Sequence, residues 1–146
     1  MSASNSFETA ILNLFFNNSN FANVGDATGL RGSTTAGSLY ISLHTADPGE
    51  AGTAVTSEAT YTGYARVAVA RSGAGWTVSG NSATNAGTVT FGACTAGTNT
   101  ITHFGIVETS SGAGALHFSG ALTASLAVSA GITPSFAASA LTVTAD

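Results

Sequence analysis

Leu39-Tyr40-Ile41-Ser42-Leu43-His44-Thr45-Ala46-Asp47-Pro48-Gly49 reads as a β-strand followed by its stop signal. Leu39, Ile41 and Leu43 alternate with Tyr40, Ser42 and His44, the period-two pattern that sends alternate side chains to opposite faces of a sheet. The run ends at Asp47-Pro48-Gly49, where Pro48 has no ladder donor and fixes its own φ, while Gly49 can take φ > 0. A chain that opens its ordered part this way announces short strands and tight turns.

Downstream the same grammar recurs. Tyr61 to Arg71 sets Ala65, Val67 and Val69 against Arg66, Ala68 and Ala70. Trp76-Thr77-Val78, Thr88 to Phe91, Thr100 to Val107, Ala115 to Phe118, Leu122 to Val128 and Leu141 to Thr144 follow as further strand candidates. Gly-rich breaks part them at about ten- to twelve-residue spacing, the rhythm of an antiparallel sandwich or jelly-roll-like barrel. No helix-length periodic segments lie between them, which argues against a parallel α/β sheet. Ser79 to Gly87 is biased toward Ser, Thr, Ala and Gly and resembles low complexity, while the interleaved Val, Phe, Ile and Leu of the chain keep enough core to fold.

Upstream lies one helix signal. Phe7, Ala10, Ile11, Leu14 and Phe15 fall on one face at helical spacing, with Asn5 as the expected N-cap and Glu8 three residues on, as in a capping box. Phe7, Ile11, Leu14 and Phe15 form a stripe that must dock, either on the same domain or on a neighbouring subunit. The expected organisation is a single domain, 1–146: an N-terminal helix over 1–18, a loop over 19–37, and a mainly β, antiparallel sandwich or jelly-roll-like body over 38–146.

Composition narrows the function. The chain has 146 residues, of which only 7% are charged, against roughly 25% in an ordinary soluble domain. There is no Lys, and the three cations are Arg31, Arg66 and Arg71. Three scattered arginines cannot release counterions along a phosphate backbone, so the composition argues against a nucleic-acid partner. Net charge is −4 on few groups, so the surface must be built from Ser, Thr, Asn, Gly and Ala and repels copies of itself weakly. The single cysteine, Cys94, rules out an internal disulfide framework and reads as a small buried hydrophobe. Met1 to Ser6 carry no basic n-region, and the apolar stretch Ile11 to Phe16 is far shorter than the ~20 residues that span a bilayer. The expectation is therefore no membrane partner and assembly in a bacterial cytoplasm.

A search for chemistry finds little. His44, His103 and His117 form no close metal motif, and Cys94 has no CxxC partner. His44 and Asp47 could meet in a turn around a metal, against the plainer reading of a hydrogen-bonded side chain beside that turn. His103 and His117 could form a cross-strand pair. Paired carboxylates for glycoside hydrolysis would have to come from Glu8, Asp26, Asp47, Glu50, Glu58, Glu108 and Asp146, and a solvated loop face accounts better for Asp47, Glu50 and Glu58. No nucleophile elbow or phosphate-binding loop appears. Trp76 with Tyr40, Tyr61 and Tyr64 could stack sugars, though one Trp suits a core better. The reading is a non-enzyme with no metal, no cofactor and no catalytic residue.

The stretch Tyr40 to Thr53, followed by Tyr61-Thr62-Gly63-Tyr64-Ala65-Arg66-Val67, resembles a family of small tailed-phage virion proteins labelled tail fibre or capsid accessory proteins. Thr102 to Val107, Leu116 to Thr123 and Phe136 to Thr144 also look like that family, whose members start with a short helix. The resemblance implies virion membership and carries no catalytic residue. Its structural motif falls on His44, Asp47, Pro48, Gly49 and Arg66, with Asp47 or Glu50 the expected carboxylate for an Arg66 bidentate pair. The resemblance implies no location on the particle; the charge-poor surface and the docking helix fit a capsid decoration or cement subunit, or a head appendage, held by repeated contacts with the major capsid protein. The alternative is a tail fibre or baseplate accessory that touches host glycans. A homo-oligomer is expected, with a trimer the usual symmetry of virion appendages.

Overall fold

The structure is a computed structural model that describes residues 3–25 and 29–145. In chain order it contains α1 (Asn5–Asn17), β1 (Ser38–His44), β2 (Val67–Ala70), β3 (Trp76–Ser79), β4 (Ser82–Asn85), β5 (Val89–Thr90), β6 (Asn99–Val107), β7 (Leu116–Val128), β8 (Ser135–Phe136) and β9 (Thr142–Thr144). The chain is mainly β with one short N-terminal helix and antiparallel strand pairs, consistent with a β-sandwich. Its strands form sheets of order β2-β1-β6-β7, β3-β4-β9 and β5-β8. It divides into two compact units, one of Met1–Ser38, Val69–Thr88 and Ala137–Asp146, the other of Leu39–Ala68 and Val89–Phe136.

In the first unit α1 packs on the sheet β3-β4-β9. Its N-cap is Ser4 and not the expected Asn5: the Ser4 hydroxyl accepts from the Phe7 N–H. At the other end Asn18 takes the left-handed conformation. The Arg71 guanidinium donates to the Leu14 and Phe15 carbonyls, groups that a helix end leaves without intrahelical partners. The buried face is Glu8, Leu12 and Phe16, rotated one residue from the expected stripe. Phe7 stays 49% exposed, and Ile11, Leu14 and Phe15 are half-buried. Packing made that choice: Phe16 lies against Trp76 with ring centroids 4.6 Å apart, and both are fully buried.

Asn85 organises the rest of this unit. It is fully buried, donates to the Gly87 and Ala137 carbonyls and accepts from the Leu141 N–H. One amide thus satisfies three backbone groups beyond the end of the β4–β9 ladder, which the burial of polar groups demands.

In the second unit, β1 pairs with β6 so that Ile41 faces Ile106 and Leu43 faces Phe104. β6 pairs in turn with β7. Tyr61, Tyr64, Phe91, Phe136 and Phe104 form a chain of ring contacts with centroid spacings of 5.5, 6.2, 6.0 and 6.1 Å. The Tyr61 to Arg71 run is a strand only over Val67–Ala70, because Tyr61 and Tyr64 are held by hydrogen bonds outside any ladder. Asn85→Ala would leave the Leu141 N–H and two carbonyls unpaired in the interior, so it should cost about 3 kcal/mol, read as a lowered urea midpoint with an unchanged slope.

Candidate functional site

Toward the end of β1 both faces of the strand are buried. Ser42 and His44 are both at 0% exposure. The loop after β1 returns and covers them: Thr45 N–H donates to the Ser57 carbonyl, and the Thr56 carbonyl lies 2.8 Å from His44 Nδ1. His44 Nδ1–H is therefore the donor to Thr56, and Nε2 accepts from the Ser42 hydroxyl at 2.8 Å. Both ring nitrogens are used inside the protein. Across the ladder Gly105 makes room for them: a Cβ there would sit 2.6 Å from Ser42 Oγ and 2.7 Å from His44 Nε2.

Beside this pair lies an ionic hub. Arg66 donates from Nε to Glu58 Oε1 at 2.6 Å and from Nη2 to Glu58 Oε2 at 2.8 Å, a bidentate pair. The carboxylate is Glu58, eight residues upstream, and neither Asp47 nor Glu50 as expected. Arg66 also donates from Nη1 to the Thr109 carbonyl and hydroxyl, and from Nη2 to the Gly112 carbonyl. Tyr64 Oη donates to Glu58 Oε1 and accepts from the Leu43 N–H. The Glu58 contact raises the Arg66 pKa above its ordinary value, while burial pushes the Tyr64 phenol far above its own. The phenol stays protonated, which its donation to Glu58 requires.

Asp47, Pro48 and Gly49 form the turn that the sequence signals. Asp47 Oδ1 accepts from the Gly49 N–H at 2.9 Å, and Gly49 has φ 68°. The turn borders an open cleft of about 450 Å³ lined by Asp47, Gly49, Glu50, Leu116, His117, Phe118 and Ser119. Glu108 Oε2 lies 3.5 Å from His117 Nε2, and Oε1 accepts from the Ala115 N–H. Carboxylates, an imidazole and a phenyl ring are the groups that grip polyhydroxylated surfaces.

Other candidates fall elsewhere. Trp76 is a core residue. His103 sits opposite His44 and Ala121, not opposite His117. Cys94 is buried, with Sγ near the Ala96 and Gly97 carbonyls. Asp26 and Asp146 lie outside the described residues. No group of three or more His, Cys, Asp or Glu that could hold a metal ion occurs among the described residues. Among them, too, no helix is long and apolar enough to cross a membrane.

Residues 2–144 match the family described as podophage GP4 fiber I protein gp80. The chain belongs to that family. No curated protein matches it. As a member of a phage fibre family it is a structural component of a virion and interacts with other virion components. The most elaborate polar arrangement described, at Arg66, joins parts of one chain.

Two outcomes follow from this geometry. Arg66→Ala strands the Glu58 carboxylate and two backbone carbonyls, so it should cost about 3–5 kcal/mol in denaturant unfolding. Pairing it with Glu58→Ala should cost less than the sum of the two single changes. Desolvation holds His44 below the ordinary imidazole value of 6.5, against the raising effects of the Thr56 hydrogen bond and Glu58. The unfolded chain takes up that proton as pH falls through 6.5 and the folded chain resists it until lower pH. Stability present above 6.5 is then lost as pH falls through the folded value. The melting midpoint, followed from about pH 8 to about pH 5, should decline below 6.5, and less steeply in His44→Gln.

Proposed function

We propose that this chain is a fibre subunit of a podophage tail, a non-enzymatic protein that attaches through an apolar helix face and presents its loops outward. The family description carries the choice of fibre over capsid decoration. The attachment surface is Phe7, with Ile11, Leu14 and Phe15 beside it on α1. Phe7 meets Phe21 edge-on at a centroid spacing of 5.4 Å. Leu30, bridged to Phe21, and Val24 are among the few large apolar side chains left exposed. An exposed apolar cluster of this kind marks an interaction site, and a neighbouring virion protein is its partner here.

His44, Asp47, Pro48, Gly49 and Arg66 serve this function structurally. The Arg66 hub holds the 108–112 loop, and the Asp47 to Gly49 turn forms one wall of the cleft. That cleft is the surface offered to host glycans, its carboxylates accepting from vicinal hydroxyls and Phe118 offering an apolar face. Copies are made and assembled in the host cytoplasm and act as a homo-oligomer.

Labelling of intact particles with an antibody against this chain, together with its stoichiometry by quantitative mass spectrometry, tests the proposal. Gold at the tail with a few dozen copies or fewer is the expected result, whereas hundreds of copies spread over the shell would replace it with the decoration role.

A further inference from the structure

Arg66 and Arg71 give their guanidinium groups to a carboxylate, carbonyls and hydroxyls of their own chain. Arg31 does not. It is exposed, and among the described residues no ion pair or hydrogen bond engages its guanidinium. A chain that carries so little charge thus leaves one cation for something outside itself.

The backbone on either side of Arg31 is fixed all the same. Leu30 before it exchanges both backbone hydrogen bonds with Phe21, at 2.8 and 2.9 Å. The Gly32 N–H after it donates to Asn20 Oδ1 at 2.9 Å. Asn18 then clamps Ser33 from both sides, accepting from its N–H and donating to its carbonyl. Position 32 has to be glycine, because a Cβ there would stand 2.3 Å from the Asn18 carbonyl oxygen. Arg31 is held in place before any partner arrives, which lowers the ordering cost of a contact through it.

Apolar side chains surround this position in the chain. Reciprocal bonding puts the Phe21 and Leu30 side chains on one face, and Phe7 meets Phe21 edge-on. Phe7, Val24 and Leu30 are exposed. Aromatic groups with an arginine, and no lysine, make up the composition that protein interfaces concentrate at their strongest points.

We infer that Arg31 anchors this patch to a neighbouring virion protein by donating to an Asp or Glu carboxylate of that protein, set within an apolar contact. The inference rests on the attachment surface of the fibre reading and adds the chemistry of its partner. Charge complementarity selects the occupant. A guanidinium fork matches one carboxylate bidentately. An anionic lipid surface or a nucleic acid is held by many cations together, and here a single one stands on a chain of net charge −4. A second copy seated on the same patch about a two-fold axis would set Arg31 against Arg31. Glu8, the one described carboxylate of this unit, is buried and could not receive it.

The lack of lysine in the chain makes the test specific. Particles are assembled in cells that supply this chain only as the wild type or a variant. Carbodiimide, which joins an amine to a carboxylate in direct contact, should cross-link particles carrying Arg31→Lys between position 31 and an Asp or Glu of another virion protein. Wild-type particles should lack that cross-link. Arg31→Ala should lower the copies retained per particle at least about tenfold, while circular dichroism of the purified chain stays that of the wild type. Wild-type retention of Arg31→Ala, or no new cross-link in retained Arg31→Lys, overturns the anchor. So does a cross-link to a second copy of this chain, or flotation with phosphatidylglycerol vesicles that Arg31→Ala abolishes. A cross-link to a carboxylate of the major capsid protein keeps the anchor and removes the fibre reading.

Discussion

The Arg66 guanidinium fixes more of this protein than any other side chain. Its N–H groups reach both oxygens of Glu58, both oxygens of Thr109 and the Gly112 carbonyl. Through Glu58 and Tyr64 it is linked to the Leu43 N–H of β1. The end of β1, the Glu58 segment and the 108–112 loop are thereby held in one geometry. Lysine could not substitute, since a single ammonium offers no planar fork. A buried ion pair of this kind adds little net stability, because desolvation cancels much of the attraction. Its effect is discrimination: any other arrangement of these loops leaves a charge unpaired.

The same economy runs through the rest of the chain. With so few charged residues, buried polar work falls to amides and hydroxyls. Asn85 joins Gly87, Ala137 and Leu141. The Asn99 side chain accepts from the Thr60 and Tyr61 N–H groups. Ser42 and His44 satisfy each other beneath the returning loop. Each case closes the hydrogen bonds of irregular backbone that would otherwise be buried and unpaired. Arg71 does likewise for the end of α1. Two of the chain's three cations are thus spent on internal carbonyls and a carboxylate, which leaves few cations for the outer surface.

What the sequence discloses is set by which interactions are local. The β1 alternation, the Asp47 to Gly49 stop, the single helix and the burial of Trp76 all follow from neighbouring residues, and they are legible. The helix face is not, because Phe7, Ile11, Leu12, Leu14, Phe15 and Phe16 make the segment apolar on most sides. Only contact with Trp76 decides between stripes. β4 hides in the Ser79 to Gly87 stretch, since Ala83 is its one apolar side chain and its existence depends on pairing with β3 and β9. β7 reads as two strands broken near Gly120. Yet Gly120 is there to admit the Phe104 ring, 2.7 Å from where a Cβ would stand. The choice of Glu58 for Arg66 is a matter of loop return, which no local spacing encodes.

A protein that turns its strongest ionic chemistry inward meets neighbouring subunits mainly through shape, apolar contact and hydrogen bonds. Those are the terms in which a repeated virion component is best held. They do not titrate at neutral pH, they are weakly screened by salt, and they act over a few ångströms, so they reward only correctly seated copies. Exposed charges would add long-range steering, which matters for catching a free partner from dilute solution. A subunit placed among copies at high local concentration gains little from steering and more from surfaces that do not repel. The scarcity of charge and the exposure of Phe7 are thus two sides of one physical choice: polar groups are spent on closing the fold around Arg66, and apolar surface remains outside.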